Sequence, residues 1–413
     1  MSYDDRAAYI VSCARTPCGK NKGALSKLHP ADLGAIAVDA AVKRAGVDPK
    51  LVDDVIIGCV GQYGAQAGNI GRYVVLSPKV LPETVPGVTC DRQCGSSQQA
   101  LHFAAQAVMS GVHDIVVAGG VEVMSLIPIG SMVTDAMKQE PSRGFPSGGK
   151  VFMEKYGEKL KKTGSTMPSQ FVGAELLVHK YKLSREELDA SSVRSHARAA
   201  AATKAGKFAA EIVPVEGHAK DGSPLVLKHD EGIRPGTTAE ALAKLKTMHP
   251  MGKLTPATAS QISDGAAALV IANGAAVKKH GLKPIAKVHA MALCGCDPVI
   301  MLEGPVFATQ NVLKKANLTI NDIDLYEVNE AFASVPLAWA KGVKADLEKL
   351  NVNGSAMAMG HPLGATGARI FTSLIHEMHR RKAKYGLVSI CEGGGTANAT
   401  IIERIGDAPA AKL

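Results

Sequence analysis

Residues 88–120 run VTCDRQCGSSQQALHFAAQAVMSGVHDIVVAGG. Val88-Thr89-Cys90 reads as the end of a strand, and a sharp turn follows. The spacing of apolar residues predicts a helix over about 96–109, stopped by Gly111. Ile115-Val116-Val117-Ala118 is then a buried strand that runs into Gly119-Gly120. Strand, turn, helix and buried strand in this order describe a layered α/β unit.

The same order extends outward in both directions. Upstream, residues 7–13 read as a strand, 31–46 as a helix with Gly46 as its stop, and 52–60 as the next strand. Downstream, residues 306–318 form a helix, and Ile320–Leu325 echoes Val52–Ile57 as the start of a strand over 323–328. A Gly-rich loop (360–367) leads into a helix over about 367–380. Leu387–Ile390 is a strand that ends in Cys391-Glu392-Gly393-Gly394-Gly395. Both halves go helix, strand, loop, helix, strand, Gly-Gly, so the chain is expected to be a duplicated α/β fold. The expected N-terminal half covers 1–124 and is continued by about 256–283; the C-terminal half covers 284–413. Between them, 125–255 has a different texture: loop segments around Pro141 and Pro146, and a polar, Ala-rich helix near 184–205. It reads as an inserted region covering one face, a usual place for substrate recognition.

Bulk composition agrees with this reading. The 413 residues are 46% hydrophobic, 21% charged and only 4% aromatic, with 42 glycines, which suits a soluble α/β enzyme with an aliphatic core. No apolar run reaches the ~18–20 residues of a membrane span. Net charge is +9, but the basic residues are scattered. Even the cluster at His379–Lys384 reads as a solvated helix end, so no nucleic-acid partner is expected. A positive field would attract a polyanionic substrate. The eight cysteines form no disulfide framework. Cys90-x-x-x-Cys94 and Cys294-x-Cys296 lack partners for a zinc site, so no metal is expected. Gly58-x-x-Gly61-x-x-Gly64 is not the dinucleotide fingerprint.

Three positions carry chemistry on their local pattern. Cys94 sits at a strand-to-helix turn, where backbone N–H groups and the helix dipole are expected to lower its pKa. His361 lies in Gly360-His361-Pro362-Leu363-Gly364-Ala365, where little side-chain bulk blocks approach to the imidazole. Cys391 ends a buried strand before three glycines whose N–H groups can face an oxyanion. Asn329-Glu330-Ala331-Phe332 adds an amide at a strand end.

Taken with Gly119–Ser125, these blocks resemble the signature blocks of the thiolase family, in the family's order, from about residue 8 to 404. The resemblance implies the thiolase fold, five layers αβαβα with an inserted loop domain. It implies thiolytic cleavage of 3-ketoacyl-CoA, reversible as a Claisen condensation. Coenzyme A is then a co-substrate, and no resident cofactor is needed. Cys94 resembles the acyl-accepting nucleophile. His361 resembles its base and, with Asn329, an oxyanion hole. Cys391 resembles the acid/base at the α-carbon, and the N–H groups of Cys94 and Gly393 the second hole. Arg234 resembles a residue packing on the adenine of CoA, and Ser260 a pantetheine contact. A ketosynthase on this fold would keep the first cysteine with two histidines and lack Cys391.

Three departures bear on substrate. Residues 258–260 read Thr-Ala-Ser where the family usually has Asn-Ala-Ser. Residues 302–305 read Leu-Glu-Gly-Pro where acetoacetyl-specific members have Met-Gly-x-Gly-Pro. Residues 169–171 read Ser-Gln-Phe, without the His-Met pair of those members. The first bears on the CoA contact at Ser260; the last two, with the terminal tripeptide, favour longer or bulkier 3-ketoacyl-CoAs over the alternative, a short-chain acetyl-CoA acetyltransferase. An inactive thiolase-like binding protein is the alternative of another class. The terminal Ala411-Lys412-Leu413 resembles a peroxisomal address, so a peroxisome or related organelle and its import receptor are expected, with the cytoplasm as alternative. The family resemblance implies a homodimer or homotetramer.

Overall fold

The computed structural model describes residues 3–77, 79–140 and 144–408. Among them, ten strands share one hydrogen-bonded sheet. Five belong to the first half: β1 (Ala8–Arg15), β3 (Asp54–Gly58), β4 (Gly87–Cys90), β5 (Ile115–Val123) and β8 (Ser263–Asn273), with the short β2 (Gly19–Lys20) beside β8. Four belong to the second: β9 (Ala286–Gly295), β10 (Leu325–Val328), β11 (Tyr385–Glu392) and β12 (Thr396–Arg404). A separate hairpin, β6 (Val215–His218) with β7 (Pro224–Leu227), lies in the inserted region.

The duplication is visible in the hydrogen bonds. The order β3-β5-β8-β1 repeats as β10-β11-β12-β9. In each half the first pair is parallel and the next two are antiparallel. The halves meet where β1 and β9 pair, at Tyr9↔Lys287 and Ile10↔Ala286. Asp53 Oδ2 accepts from the N–H groups of Asp114 and Ile115 (2.7 and 2.9 Å). Asp324 Oδ2 does the same for Lys384 and Tyr385 (2.7 and 3.0 Å). Asp53 and Asp324 are therefore equivalent, and the echo begins three residues later than the sequence pattern suggested. Ile320–Asp322 is a single tight turn, capped by Thr319 and Asp322, and the strand starts only at Leu325.

Alternation along the strands builds the layers. Ile115 and Val117 point into one core with the helix Pro30–Ala45, while Val116 and Ala118 point into another. That second core holds Ala100, Leu101 and Ala104 of the helix Ser96–Ser110, and Ile370, Phe371 and Leu374 of the helix Thr366–Arg381. Val388 and Ile390 enter it from the second half-sheet. The opposite face of that half-sheet packs on the helix Gly304–Ala316. Helices therefore lie outside, between and outside the two half-sheets, five layers in all. Gly46 and Gly111 close their helices at φ 63° and 80°, the left-handed conformation their lack of a side chain permits.

Residues between β5 and β8 supply the helices Gln170–Lys180 and Arg185–Lys204 and the hairpin. Ser184 and Glu187 cap the longer helix reciprocally. Its Ala199 and Ala202 pack with Ala358 and Met359, just ahead of His361. Among the described residues, no helix is long and apolar enough to cross a membrane.

Candidate active site

Two central helices begin side by side, and both begin at a functional turn. Cys94 precedes the helix Ser96–Ser110, in a turn held at both ends. Asp91 Oδ1 accepts from Gln93 N (2.6 Å), and Gln93 sits at φ 48°. The Ser96 hydroxyl donates to Gln93 O (2.6 Å) and accepts from Arg92 N (2.9 Å). The His361 loop packs directly on this turn, because its glycines admit backbone: a Cβ on Gly367 would stand 2.4 Å from Gln98 N. Ser97 Oγ accepts from Ala368 N (2.9 Å), which ties the two helix starts together.

His361 is buried and held at both ring nitrogens. Nδ1 lies 2.6 Å from Thr366 Oγ1, and that hydroxyl donates to Pro362 O (2.9 Å). The hydroxyl therefore accepts from Nδ1–H, which leaves the lone pair on Nε2. Asn329 Nδ2 lies 3.2 Å from Nε2. Burial, then the Arg369 charge, lowers the His361 pKa to about 3, so the ring is neutral at rest. Asn329 follows β10 and is anchored by its N–H to Ser389 O (3.1 Å), two residues before Cys391.

Cys391, at the end of β11, is fully buried. Burial and the neighbouring Cys94 push its pKa well up. Gly393 lies against the Cys94 turn, where an added Cβ would meet Gln93 Oε1 at 2.9 Å. Cys94, His361, Asn329, Cys391 and Gly393 are thus gathered from four strand and helix ends.

One expectation needs correcting. Burial and then the Glu392 carboxyl push Cys94 up to about 12, despite the helix start beside it. Desolvation of a thiolate outweighs the help of a few backbone N–H groups. The resting site holds a neutral thiol and a neutral imidazole rather than an ion pair.

Arg234 and Ser260 share a cleft of about 500 Å³ with Lys20, His196, Gln261 and Met357. His196 Nδ1 accepts from Arg234 N (3.1 Å). Gln261 joins cleft to catalytic loop: its O accepts from His361 N (3.2 Å), and its Nε2 donates to Met357 O (2.8 Å) and Gly232 O (2.9 Å). The five catalytic candidates lie outside the lining of this cleft, which joins them through Gln261.

Sequence reasoning missed Thr366, Gln261, His196 and Glu122. The Glu122 carboxylate accepts from Val60 N (2.9 Å), Gly61 N (3.0 Å), Gln66 Nε2 (2.7 Å) and Gly364 N (2.9 Å), clamping two loops. Glu122 lies within the block Gly119–Ser125; an acid inside an apolar strand was the available signal. Among the described residues, no group of three or more His, Cys, Asp or Glu side chains is arranged to hold a metal ion.

A two-half, five-layered fold with paired cysteines at its centre defines an acyl-transferring enzyme. Residues 8–275 match the thiolase N-terminal domain and residues 282–404 the thiolase C-terminal domain, so the chain belongs to the thiolase family. It is 50% identical over 401 residues to the steroid 3-ketoacyl-CoA thiolase FadA6 of Mycobacterium tuberculosis, covering 96% of this chain and 94% of that one. It is 41% identical to a 3-ketoacyl-CoA thiolase of Bacillus subtilis, covering 96% and 99%. Among solved structures it resembles human mitochondrial 3-ketoacyl-CoA thiolase (TM-score 0.84, 37% identity, 97% and 99% covered). It also resembles the Bacillus anthracis acetyl-CoA acetyltransferase (TM-score 0.86, 38% identity, 97% and 99% covered).

These curated relatives come from bacteria, which have no peroxisomes, and they overturn the peroxisomal reading. They point to the cytoplasm, and the expected import receptor falls with the organelle. Ala411-Lys412-Leu413 lies outside the described residues.

Proposed function

We propose that this chain cleaves 3-ketoacyl-CoA with coenzyme A, through an acyl group carried on Cys94. Coenzyme A is the co-substrate, and the reading needs no resident cofactor. The supporting observation is a pair of buried thiols, with Cys391 in the field of Cys94, and a neutral imidazole whose Nε2 lone pair accepts from Asn329 Nδ2 (3.2 Å). Cys94 gives its proton to His361 Nε2 as its sulfur attacks the 3-keto carbon. N–H groups of Cys94 and Gly393 receive the oxyanion. The C2–C3 bond then breaks, and its electrons form an enolate whose oxygen meets His361 Nε2–H and the Asn329 side of the site. Cys391 protonates C2, and acetyl-CoA leaves. The next CoA thiol gives its proton to the Cys391 thiolate and attacks acyl-Cys94. The shortened acyl-CoA departs, and Cys94 takes back its proton from His361. Neither thiolate is stored in the resting enzyme: the Cys94 proton leaves as its sulfur attacks, and the Cys391 thiolate lasts only until the next CoA thiol reprotonates it.

For the substrate we infer a longer or bulkier acyl group. Leu302 fills buried space where acetoacetyl-specific relatives have glycine, and Phe171 stacks edge-on against Phe332 at 5.5 Å, close to Asn329. The 50% identical relative is named for a steroid 3-ketoacyl-CoA, in keeping with bulk. The similarity to an acetyl-CoA acetyltransferase keeps the short-chain reading as the alternative. A homodimer or homotetramer belongs to the same proposal, supported by the open sheet edge at β4, where Val88 is exposed. Thiolysis by the purified protein should be measured on acetoacetyl-CoA, a medium-chain and a ring-bearing 3-ketoacyl-CoA, with Cys94→Ala as control. Faster cleavage of the larger substrates supports the proposal. Preference for acetoacetyl-CoA selects the alternative, and activity surviving in Cys94→Ala removes the mechanism.

A further inference from the structure

The two-fold repeat pairs two buried carboxyls. Ile115 and Tyr385 are equivalent through the Asp53 and Asp324 bonds, and the strand registers carry the equivalence to Glu122 and Glu392. Each reaches the functional turn of the other half: Glu122 holds Gly364 N (2.9 Å), and Glu392 lies over Gly95. A Cβ on Gly95 would come within 2.1 Å of Glu392 Oε1.

Their bonding differs sharply. Glu122 accepts five hydrogen bonds, three of them from backbone N–H groups, one from Gln66 Nε2 and a long one from the Cys59 thiol. Glu392 accepts one, from Thr396 Oγ1 (2.6 Å), and its Oε1 is buried without a partner among the described residues. A structural carboxylate in a closed site is normally satisfied. A half-bonded one whose charge acts on both Cys94 and Cys391 needs another account. Asp91, Arg92 and Cys94 face it from the turn, Cys391 precedes it on its own strand, and Cys294 and Cys296 face it from β9 and its end.

We propose that Glu392 is a positioning residue for the two thiols: only as a neutral carboxyl does it let Cys94 and Cys391 release their protons, and its ionisation closes the site. No bond to Glu392 forms in the cycle. It acts by charge alone, because a carboxylate enclosed beside a nascent thiolate opposes it through low dielectric. Burial holds the group protonated up to about pH 8, against the Thr396 bond and the Arg92 charge, which favour ionisation. Glu122 also opposes a Cys94 thiolate, but less than Glu392 does, and its carboxylate is held by the loop N–H groups.

This proposal rests on Cys94 being the nucleophile, which the loss of thiolysis in Cys94→Ala tests separately. The experiment for Glu392 is the pH dependence of Cys94 alkylation by iodoacetamide, followed by peptide mass, alongside the pH profile of kcat/KM. In Glu392→Gln, alkylation of Cys94 should move to lower pH by about one unit, and the loss of kcat/KM above pH 8 should vanish. Thr396→Val, which removes the one donor to the carboxylate, should shift that alkaline loss to higher pH instead. A merely structural carboxyl would change thermal stability and leave both profiles in place. Alkylation curves for both variants that superimpose on the wild type would overturn the proposal.

Discussion

Thr366 accepts a 2.6 Å hydrogen bond from His361 Nδ1 and donates one to Pro362 O, 2.9 Å away. This relay sets the histidine tautomer and aims the Nε2 lone pair into the site. Thr366→Val keeps the shape and removes the relay. The expected loss is on the order of 10–100-fold in kcat, the usual cost of an outer partner that fixes a histidine. Thr366→Ser should keep most of the rate. Equal rates in Val and wild type would mean the tautomer is set elsewhere.

The two cysteines should separate by reaction. Cys391→Ala removes the proton donor to C2 but leaves Cys94, His361 and the Gly393 backbone. Thiolysis is expected to fall by at least about 100-fold, the scale of a lost general acid. Acylation of Cys94 by a reactive thioester, followed by intact mass, should survive in part. Equal loss of both reactions would show that the thiols do not have distinct tasks.

Much of this arrangement was legible in the sequence. The strands and central helices followed from apolar runs bounded by glycine, and Cys94, His361, Asn329 and Cys391 from turns at element ends. Helix boundaries at Gly46 and Gly111 held because left-handed glycine is a local signal. What was not legible depended on distant residues. The local pattern around Cys94 promised a stabilised thiolate, but burial by the folded chain opposes it, and so does Glu392, 298 positions away. Gln261 reads as one more polar loop residue until its amide is seen bridging Gly232 and Met357. The second repeat was placed three residues early because the Thr319 turn imitates the apolar–acidic rhythm of a strand.

Gly360 has φ 111°, and a Cβ there would stand 2.3 Å from Ser263 Oγ. Two separate costs therefore attach to Gly360→Ala: backbone strain of about 1–3 kcal/mol and a steric clash next to His361. Thermal unfolding and kcat should both fall. Adding Ser263→Ala removes the Oγ contact but keeps a Cβ 2.9 Å away, so the double variant should recover part of the loss and leave the strain. Full recovery would mean that φ carries no cost there.

Acid should weaken the fold through its buried histidines. Burial lowers His361 and His102 to about 3 and His196 to about 4. Each folded-state value lies below the ordinary 6.5, so the unfolded chain binds more protons between these limits. The stability these neutral rings contribute is present above pH 6.5 and lost as pH falls toward 3–4. His102 bonds only Thr400 Oγ1 (2.7 Å) among the described residues and stands apart from the chemistry. His102→Gln should reduce the slope of unfolding free energy against pH by up to about 1.4 kcal/mol per unit. Denaturant titrations at pH 7, 6 and 5 would show it, and parallel slopes would mean His102 charges freely in the fold.

The cleft makes its own prediction, because Arg234 lines it without touching the catalytic residues. Its N–H is fixed by His196 (3.1 Å), and its side chain is left to meet a ligand. Arg234→Ala should raise the KM for CoA by about tenfold, the worth of one charged contact, and leave kcat near wild type. Gln261→Ala should behave differently, since Gln261 O and Nε2 join the cleft wall to the His361 loop. Its backbone O still holds His361 N, but the bridge from Gly232 to Met357 is gone. Both KM and kcat are then expected to suffer. A Gln261→Ala enzyme with a pure KM defect would show that cleft and catalytic loop are held together by packing alone.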